Sequence, residues 1–407
     1  MSRQQPIRPK SRDDFEIAIF CALTFEADAI LALFDHRWDK NEEGQSFGKA
    51  DGDPNAYSTG AIGKHNVVLA HLPGTGKVAA ANIAAFCRMS YLNISLAIVA
   101  GTCGGTPIYG KGKEILLGDV IISTGVVQYD LGKCYPDKFR TKDTPEDSLG
   151  RPSLELRSLL AKLMTNRHHE RLQIATQKHL QEVLGETYDV IDHPEGLPNI
   201  LFKTNYRHKH QEPTHCTICT ACKGISDPVC DVALSSSCKE LRCDLRQLVL
   251  RSRLGQIDNN NQRATVGING EAFLPMIHFG KFGSGDSVVK SGEYRDQLTA
   301  SHGAIGFEME SAGVWELFQT VVIRGVSNYA DCHKNDIWQI FAAASAAACT
   351  KAFLKHWEST RQETRSATEG QGLGETVIDT LHFPDLNETI NNPTPPASVT
   401  CQWNIEA

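Results

Sequence analysis

The apolar residues of this chain fall into short unbroken runs that alternate with amphipathic segments. Residues 15–23 (FEIAIFCAL) form an apolar run of strand length, and the residues after it have apolar positions at helical spacing. Residues 65–73 (HNVVLAHLP) are again strand-like, and an alanine-rich helical stretch follows over residues 77–89. Unbroken apolar runs are typical of strands that are covered on both faces. The pattern therefore predicts an α/β fold, a sandwich of helices around one main sheet.

The alternation of strands and helices is interrupted in the middle of the chain. Between about residues 165 and 268 the composition is rich in His, Arg, Asn and Cys, and only residues 172–186 have convincing helical spacing. We therefore predict one domain over residues 15–357 that carries a Cys-rich, partly disordered insertion at about 165–268. The polar residues 1–14 are expected to form a disordered arm, and residues 358–407 a flexible tail.

Composition and charge narrow the classes of function. A chain of 407 residues with 41% hydrophobic and 22% charged residues is typical of a soluble globular protein. The net charge of −7 argues against general affinity for nucleic acid or for an anionic membrane. No apolar run reaches 18 residues, and the polar N-terminus lacks the apolar core of a secretion signal. Many cysteines lie in apolar or mixed segments, as buried reduced thiols do, so a cytoplasmic location is expected.

A glycine-rich loop joins a predicted strand to a predicted helix at residues 73–85 (PGTGKVAAANIAA). Glycine lets backbone N–H groups approach a ligand closely, and a helix N-terminus favours an anion or a hydroxyl-rich group. The spacing alone is equally compatible with a tight turn. The loop is not a P-loop, because four residues do not separate the glycines and neither Ser nor Thr follows Lys77.

Six motifs occur in an order that resembles the nucleoside phosphorylase and nucleosidase superfamily. They are GTGKVAAA, AGTCGG, LGDVIIS, SGDSVV, FEMES and IRGVSNYAD, and the match covers residues 15–135 and 270–357. The closest branch includes methylthioadenosine/S-adenosylhomocysteine nucleosidase, and details such as GVVQYDLGK (125–133) resemble its fungal proteins. The resemblance implies a three-layer sandwich around a central mixed sheet. It also implies a homo-oligomer, a small-molecule nucleoside substrate, and neither a cofactor nor a catalytic metal.

The motif FEMES places two glutamates one residue apart. The resemblance implies that Glu310 binds the ribose 2′ and 3′ hydroxyls, since a carboxylate accepts two strong hydrogen bonds and stabilises positive charge on the sugar. Met309 would pack against the ribose, while Glu308 would orient its neighbours or approach the sugar from the same edge. The alternative is that the two glutamates form a capping pair for a helix that begins at Ser311.

Other candidates for the chemistry lie at both ends of the chain. Glu26 falls where the nucleosidases carry the glutamate that deprotonates water; the alternative is a residue that faces solvent on a helix. Arg324 follows the family pattern but fits hydrolases and phosphorylases alike. At the position of the nucleosidase aspartate that protonates the purine, this chain has Asn328, which cannot supply a proton. Asp331 could substitute, the base could leave with less help, or catalysis could be lost.

The remaining candidates shape the predicted pocket. By resemblance these are Gly76, Thr102, Gly104, Asp286 and Val288. The nucleosidases have a phenylalanine shortly after the aspartate of SGDSVV, whereas this chain has valines, so adenine specificity is not implied. The leading hypothesis is a purine ribohydrolase. The alternatives are a phosphate-dependent phosphorylase and a non-catalytic nucleoside-sensing module.

The cysteines of the insertion could hold a metal. Cys216, Cys219, Cys222 and Cys230 lie in HCTICTACKGISDPVC, and CxxCxxC spacing can bind zinc through thiolates. There is no second clean CxxC pair, and the later spacings are irregular. Structural zinc and free reduced thiols both remain open at this point.

Overall fold

The computed structural model describes residues 7–38, 47–187, 199–212, 216–224, 226–254 and 274–358. The helices in these ranges are α1 Thr24–Leu31, α2 Lys77–Ser90, α3 Leu154–Leu163, α4 Asn166–Thr187, α5 Thr217–Ala221, α6 Asp231–Ser235, α7 Gly292–His302, α8 Ser311–Trp315 and α9 Gln339–Leu354. The strands are β1 Ile17–Cys21, β2 His36–Arg37, β3 Tyr57–Ile62, β4 His65–His71, β5 Leu96–Gly105, β6 Ile108–Tyr109, β7 Lys113–Glu114, β8 Val120–Gln128, β9 Gly132–Cys134, β10 Phe139–Thr141, β11 Ile277–Ser284, β12 Ala304–Glu308 and β13 Thr320–Asn328. None of the helices just named is long and apolar enough to span a bilayer.

Nine strands form one mixed sheet in the order β12-β11-β8-β13-β5-β1-β4-β3-β2. β1 pairs in parallel with β4 and β5, and β13 pairs in parallel with β5, whereas the pairs β8–β13 and β3–β4 are antiparallel. Every residue of β1 and of β13 is buried. The unbroken apolar runs of the sequence therefore correspond to strands with cover on both faces.

Helices cover the two faces of this sheet. α9 packs on β13 and β5 and contacts α1 and α4, while α8 packs on the same strands and contacts α2. The alanine-rich sequence of α9 allows close approach, since a Cβ on Gly325 of β13 would overlap the Ala342 carbonyl of α9. The fold class predicted from the sequence is confirmed: the domain is α/β, with a central mixed sheet between helical layers.

The sheet is curved, so that β12, the strand at one end of this order, also contacts a strand in the middle of the sheet. β12 pairs with β11 and also, antiparallel, with β5 through Gly306↔Gly105 and Phe307↔Gly104. This contact brings the C-terminal end of β12 next to the C-terminal ends of β5 and β13. Residues that are about 200 positions apart in the sequence consequently meet at one place.

The middle of the chain differs from the sequence expectation. The helix expected at 172–186 extends over all of α4 and packs against α9, with Leu172 and Val183 fully buried. α4 is thus part of a layer over the sheet, although its composition led to its assignment to the insertion. Within the expected insertion, residues 188–198, 213–215, 225 and 255–268 lie outside the described residues.

The expected arm and tail are described only in part. Residues 7–14 differ from the expected disordered arm, because they contain a short 3-10 helix (Arg12–Asp14) whose N-terminus is capped by Ser11, and Asn66 binds the Asp14 carbonyl. Residues 1–6 and 359–407, which hold the rest of the arm and nearly all of the predicted tail, lie outside the described residues.

Candidate active site

A cavity of about 160 Å³ opens where β5, β12 and β13 end. Its charged lining residues are Glu26, Glu308, Glu310, Arg324 and Lys334. The four members other than Lys334 are almost completely buried, although each is ionisable. Buried charged groups are costly unless they are paired, so their arrangement is the first evidence of what the cavity does.

Arg324 is the centre of this charged group. Its Nη2 donates to Glu310 Oε2 at 2.6 Å and to Glu308 Oε2 at 3.1 Å. Its Nη1 donates to the Thr102 carbonyl at 2.9 Å and lies 3.9 Å from Glu26 Oε1. Although burial lowers the pKa of Arg324, the three carboxylates raise it above its ordinary value. One permanently charged guanidinium therefore provides the counter-charge for three carboxylates.

Glu308 is the last residue of β12 and lies just before the helix α8. Its carboxylate accepts hydrogen bonds from the N–H groups of Glu310 and Ser311, both at 2.9 Å, and from the Ser311 hydroxyl at 2.5 Å. The two N–H groups are unpaired backbone donors at the N-terminus of α8. The geometry of Glu308 fits the capping alternative, with the added ion pair to Arg324, and the carboxylate thereby fixes the backbone that carries its neighbours.

Glu310 connects the FEMES motif to the first glycine loop. Its Oε1 accepts the N–H of Gly76 at 3.1 Å, while its Oε2 accepts from Arg324. Gly76 has a φ of +110°, a backbone conformation that glycine adopts readily, and it directly precedes α2. The predicted glycine loop therefore contributes a backbone donor to the site. Burial raises the pKa of Glu310, Arg324 opposes this rise, and Glu308 and Glu26 add to it.

The raised pKa of Glu310 predicts a pH dependence of stability. Because the fold favours its protonated form, this contribution to stability is fully present below the ordinary value of 4.5 and is lost as pH rises through the raised pKa. The Glu310→Gln variant cannot titrate there. We expect the free energy of unfolding of the unmodified protein to fall relative to that of the variant as pH increases across this window. Urea unfolding of both proteins over a pH series measures the difference; a difference independent of pH would contradict it.

Glu26 is held at the cavity wall by four hydrogen bonds. Its Oε1 accepts from the N–H and hydroxyl of Thr102 at 2.7 and 3.1 Å, and its Oε2 accepts from the N–H groups of Ala22 and Leu23. A side chain on Gly101, whose φ is +153°, would overlap this carboxyl group. Glu26 is 2% exposed, so the solvent-facing alternative is wrong.

The other predicted site residues divide into two groups. Thr102, Gly104, Met309, Val288 and Asn328 line the cavity with the glutamates. Gly76 acts through its bond to Glu310. Asp286 binds the N–H of Lys77 at 2.8 Å and is not among the residues that line the cavity.

Asn328 and Asp331 have separate environments. The Asn328 amide donates to the Ser327 hydroxyl and accepts from the Ala330 N–H, both at 3.0 Å. An amide nitrogen carries two N–H groups, so a second one can serve a ligand. Burial raises the pKa of Asp331, whose carboxylate accepts the His333 N–H at 2.9 Å, but this residue is not part of the cavity lining either.

Several lining residues were not predicted from the sequence. Phe307 offers an aromatic ring, Lys334 a cation, and Gln339, Thr75 and Ser287 offer polar groups. Phe307 precedes Glu308 within FEMES, but an aromatic residue in an apolar run ordinarily indicates core packing. Lys334 lies in an irregular loop after β13, where the sequence does not predict which way a side chain points.

The zinc candidates lie elsewhere. Cys216, Cys219 and Cys230 come together with His210, whereas Cys222 turns away toward the Gly224 carbonyl. A second cluster joins His208, Cys238, Cys243 and His333, and none of these residues was a zinc candidate from the sequence.

Comparisons with known proteins agree with the resemblance. A family model described as the phosphorylase superfamily matches residues 16–179. A nucleotide-binding leucine-rich repeat (NLR)-like protein of Hyaloscypha variabilis is 28% identical over 364 residues, which are 84% of this chain and 29% of that protein. The chain thus spans less than a third of that relative's length.

Solved structures of low sequence identity are similar as well. Futalosine hydrolase of Helicobacter pylori has a TM-score of 0.47 and 16% identity, and the similarity covers 85% of this chain and all of that one. A 5′-methylthioadenosine/S-adenosylhomocysteine nucleosidase of Neisseria meningitidis has a TM-score of 0.45 and 16% identity over 84% of this chain and 99% of that one. The family-model match over residues 16–179 agrees with the resemblance carried by the motifs: this part of the chain is similar to the phosphorylase superfamily.

Proposed function

We propose that this chain is a nucleosidase, which hydrolyses the N-glycosidic bond of a purine nucleoside or a related compound with water. One observation carries the proposal: two buried carboxylates, Glu26 and Glu310, lie on the wall of one cavity and both approach Arg324. A site of this kind suits a reaction in which positive charge develops on the substrate. The sugar of a nucleoside develops such charge as its bond to the base breaks.

The proposed mechanism assigns one task to each carboxylate. Glu310 accepts hydrogen bonds from the ribose hydroxyls and stabilises the cationic sugar. Glu26 takes a proton from a water molecule whose oxygen forms the new bond to C1′. The C1′–N bond breaks, and its electron pair leaves with the base. Thr102, Ala22 and Leu23 hold the Glu26 carboxylate in a fixed position, which limits the reorganisation that the step requires.

The charge of the cavity favours water over phosphate as the nucleophile. A phosphate ion needs cationic partners, and the basic side chains among the lining residues are those of Arg324 and Lys334. Arg324 already faces three carboxylates and one carbonyl. An anion placed beside Glu26 and Glu310 would be repelled by them, whereas neutral water would not.

The residues that we expect to contact the base can offer the leaving group a hydrogen bond but not a proton. Asn328 can donate a hydrogen bond to the departing base but cannot supply a proton. Phe307 lines the cavity and offers a ring on which a base can stack. Because some purine nucleoside phosphorylases also use an asparagine against the base, this resemblance makes 6-oxopurine nucleosides the first candidates.

Product analysis on a nucleoside panel tests the proposal. Inosine, guanosine, adenosine, methylthioadenosine and uridine are each incubated with the full chain, with and without phosphate. We expect free base and free ribose from a purine nucleoside at rates that do not depend on phosphate. Release only with phosphate, as ribose 1-phosphate, would make the protein a phosphorylase and would leave Glu26 without its proposed task.

Glu310→Gln should abolish turnover with little loss of stability. The glutamine cannot accept two charge-assisted hydrogen bonds from ribose, but the change also removes one of three acidic groups around a single guanidinium. Steady-state kinetics and urea unfolding at neutral pH measure the two effects. Glu316→Gln is the matched control, because Glu316 is exposed on the turn after α8. A Glu310→Gln variant that keeps its rate would refute the assignment.

A non-catalytic sensing module is the second candidate. Two observations favour it: Asn328 occupies the position where the related nucleosidases have an acid, and the relative from Hyaloscypha variabilis is described as NLR-like. On this reading, the domain would bind a nucleoside within a longer protein. Saturable binding of a purine nucleoside, without release of base from any member of the panel, would support this candidate against the hydrolase.

A further inference from the structure

The described residues between α4 and β11, together with His333 in the loop after β13, form two clusters of cysteine and histidine. We propose that each cluster binds one structural zinc ion. The first cluster consists of His208, Cys238, Cys243 and His333, and the second of His210, Cys216, Cys219 and Cys230. In each cluster the four candidate ligand atoms lie within 4.8 Å of one another. Four ligands drawn from Cys and His are the usual set for a structural zinc site.

The distances in the first cluster fit a tetrahedron of zinc ligands. Zn–S bonds of about 2.3 Å and Zn–N bonds of about 2.0–2.1 Å place nitrogen atoms about 3.3 Å apart, and sulfur about 3.5 Å from nitrogen. His208 Nδ1 and His333 Nδ1 are 3.3 Å apart. Cys238 Sγ lies 3.6 and 3.5 Å from these two nitrogens, and Cys243 Sγ lies 3.6 and 4.0 Å from them.

The hydrogen bonds of the two histidines orient their lone pairs toward the centre. His208 Nε2 is 2.8 Å from the Ser236 carbonyl, and His333 Nε2 is 3.1 Å from the Tyr206 carbonyl. A carbonyl oxygen only accepts, so each Nε2 carries a hydrogen, and the neutral form of a ring that does so has its lone pair on Nδ1. Both lone pairs then face the same point, which a cation stabilises. Metal-binding histidines commonly have this second hydrogen bond.

The second cluster has the spacing of a Cys₃His site. Cys219 Sγ and Cys230 Sγ each lie 3.5 Å from His210 Nδ1 and are 3.7 Å from each other. Tetrahedral Zn–S geometry places two sulfur atoms about 3.8 Å apart. Lys209 donates to the carbonyls of Cys219 and Cys222. Its ammonium group thereby places positive charge beside a site whose three thiolates exceed the charge of one Zn²⁺ ion.

Among its described residues, this region has only a small apolar core of its own. Its own buried cluster consists of Cys219, Ala233 and Leu241, with other cysteines packed around it. Small units with so little buried apolar surface usually need metals or disulfides, and metal binding then supplies free energy of folding. The twelve described cysteines are all free of disulfide bonds.

The first site also connects this region to the active-site cavity. His333 lies in the loop after β13, between Asn328 and Lys334 in the sequence, and both of these residues line the cavity. Its ring faces the insertion. Its ring stacks on Phe202 with a centroid distance of 4.1 Å, and its N–H donates to Asp331. We infer that zinc at this site fixes the loop that forms one wall of the cavity. The second site holds the insertion together internally.

Metal analysis of the full chain tests the proposal. The protein is produced with zinc in the medium and purified without chelators, and zinc is counted per chain. We expect about two equivalents, one per cluster, with about one lost in Cys243→Ser and about one in Cys230→Ser. Cys222→Ser is the matched control: Cys222 neighbours the second cluster but is outside it, so this variant should retain both ions.

Cobalt(II) gives a second readout that does not depend on the variants being well folded. Replacing zinc by cobalt in the unmodified chain should produce the thiolate-to-metal absorption of tetrahedral cobalt. Folded protein that retains no zinc and gives no such absorption would overturn the proposal. An equal loss of zinc in Cys222→Ser and Cys230→Ser would overturn the assignment of the second site, and bound iron would overturn the choice of metal.

Discussion

Arg324→Met should lower the free energy of unfolding by about 3–5 kcal/mol, because it leaves buried carboxylates without their counter-charge. Glu308 and Glu310 pair directly with the guanidinium, and Glu26 lies 3.9 Å from it. Methionine replaces the aliphatic part of the arginine side chain and keeps its packing, so the loss reflects mainly the missing charge. Urea unfolding at neutral pH measures this effect. The deficit should shrink as pH falls, because a protonated carboxyl group needs no counter-charge.

Arg140→Met is the matched control for this prediction. Arg140 is exposed on β10, and exposed substitutions usually change stability by about 0.5 kcal/mol or less. If Arg324→Met were no more destabilising than this control, Arg324 would not be the group that supplies the counter-charge of the three buried carboxylates. The electrostatic account of the cavity would then be wrong.

Glu26→Ala should reduce the turnover number by about 10²–10⁴-fold, the usual contribution of general base catalysis. This prediction rests on the proposed hydrolysis. Because the Glu26 carboxylate also accepts hydrogen bonds from Ala22 and Leu23 at the start of α1, the variant is expected to lose some stability. A purely structural role would therefore lower the rate as well, and a second readout is needed.

Added formate supplies that readout. A small carboxylate can enter the space left by the side chain and accept the proton of water, so the rate of Glu26→Ala should rise with formate concentration. Asp28→Ala, an exposed acidic position on the same helix, should keep the unmodified rate and show no response. Glu26→Ala protein that remains folded but is not rescued by formate would indicate that Glu26 only positions Thr102 and the start of α1.

The sequence predicted which residues meet, because the motifs lie at or near the ends of strands that the sheet brings together. Glu26, Thr102, Glu310 and Asn328 follow or end apolar runs, and all four line the cavity. The role of Arg324 could not be predicted in this way. Its partners come from α1, β12 and the turn after β12, and the pairing depends on β12 returning to β5.

The sequence was less informative where polar composition hides packing. α4 is mostly polar, yet a narrow stripe with Leu172, Leu180 and Val183 is buried in the domain core. Composition alone therefore placed this helix in the insertion. The same limit applies to the cysteines, since CxxCxxC spacing identified part of one cluster but not its histidine. His333 is 90 residues from Cys243 in sequence, and only the fold brings the two together.

A single-turnover reaction in water enriched in heavy oxygen tests the central claim most directly. The full chain is mixed with the preferred purine nucleoside in the presence of phosphate. The reaction is quenched, and the mass of the sugar product is measured by mass spectrometry. Free ribose incubated in parallel corrects for exchange at C1. Hydrolysis in this site predicts free ribose with one heavy oxygen at C1. Ribose 1-phosphate, or bound nucleoside that is never cleaved, would contradict it.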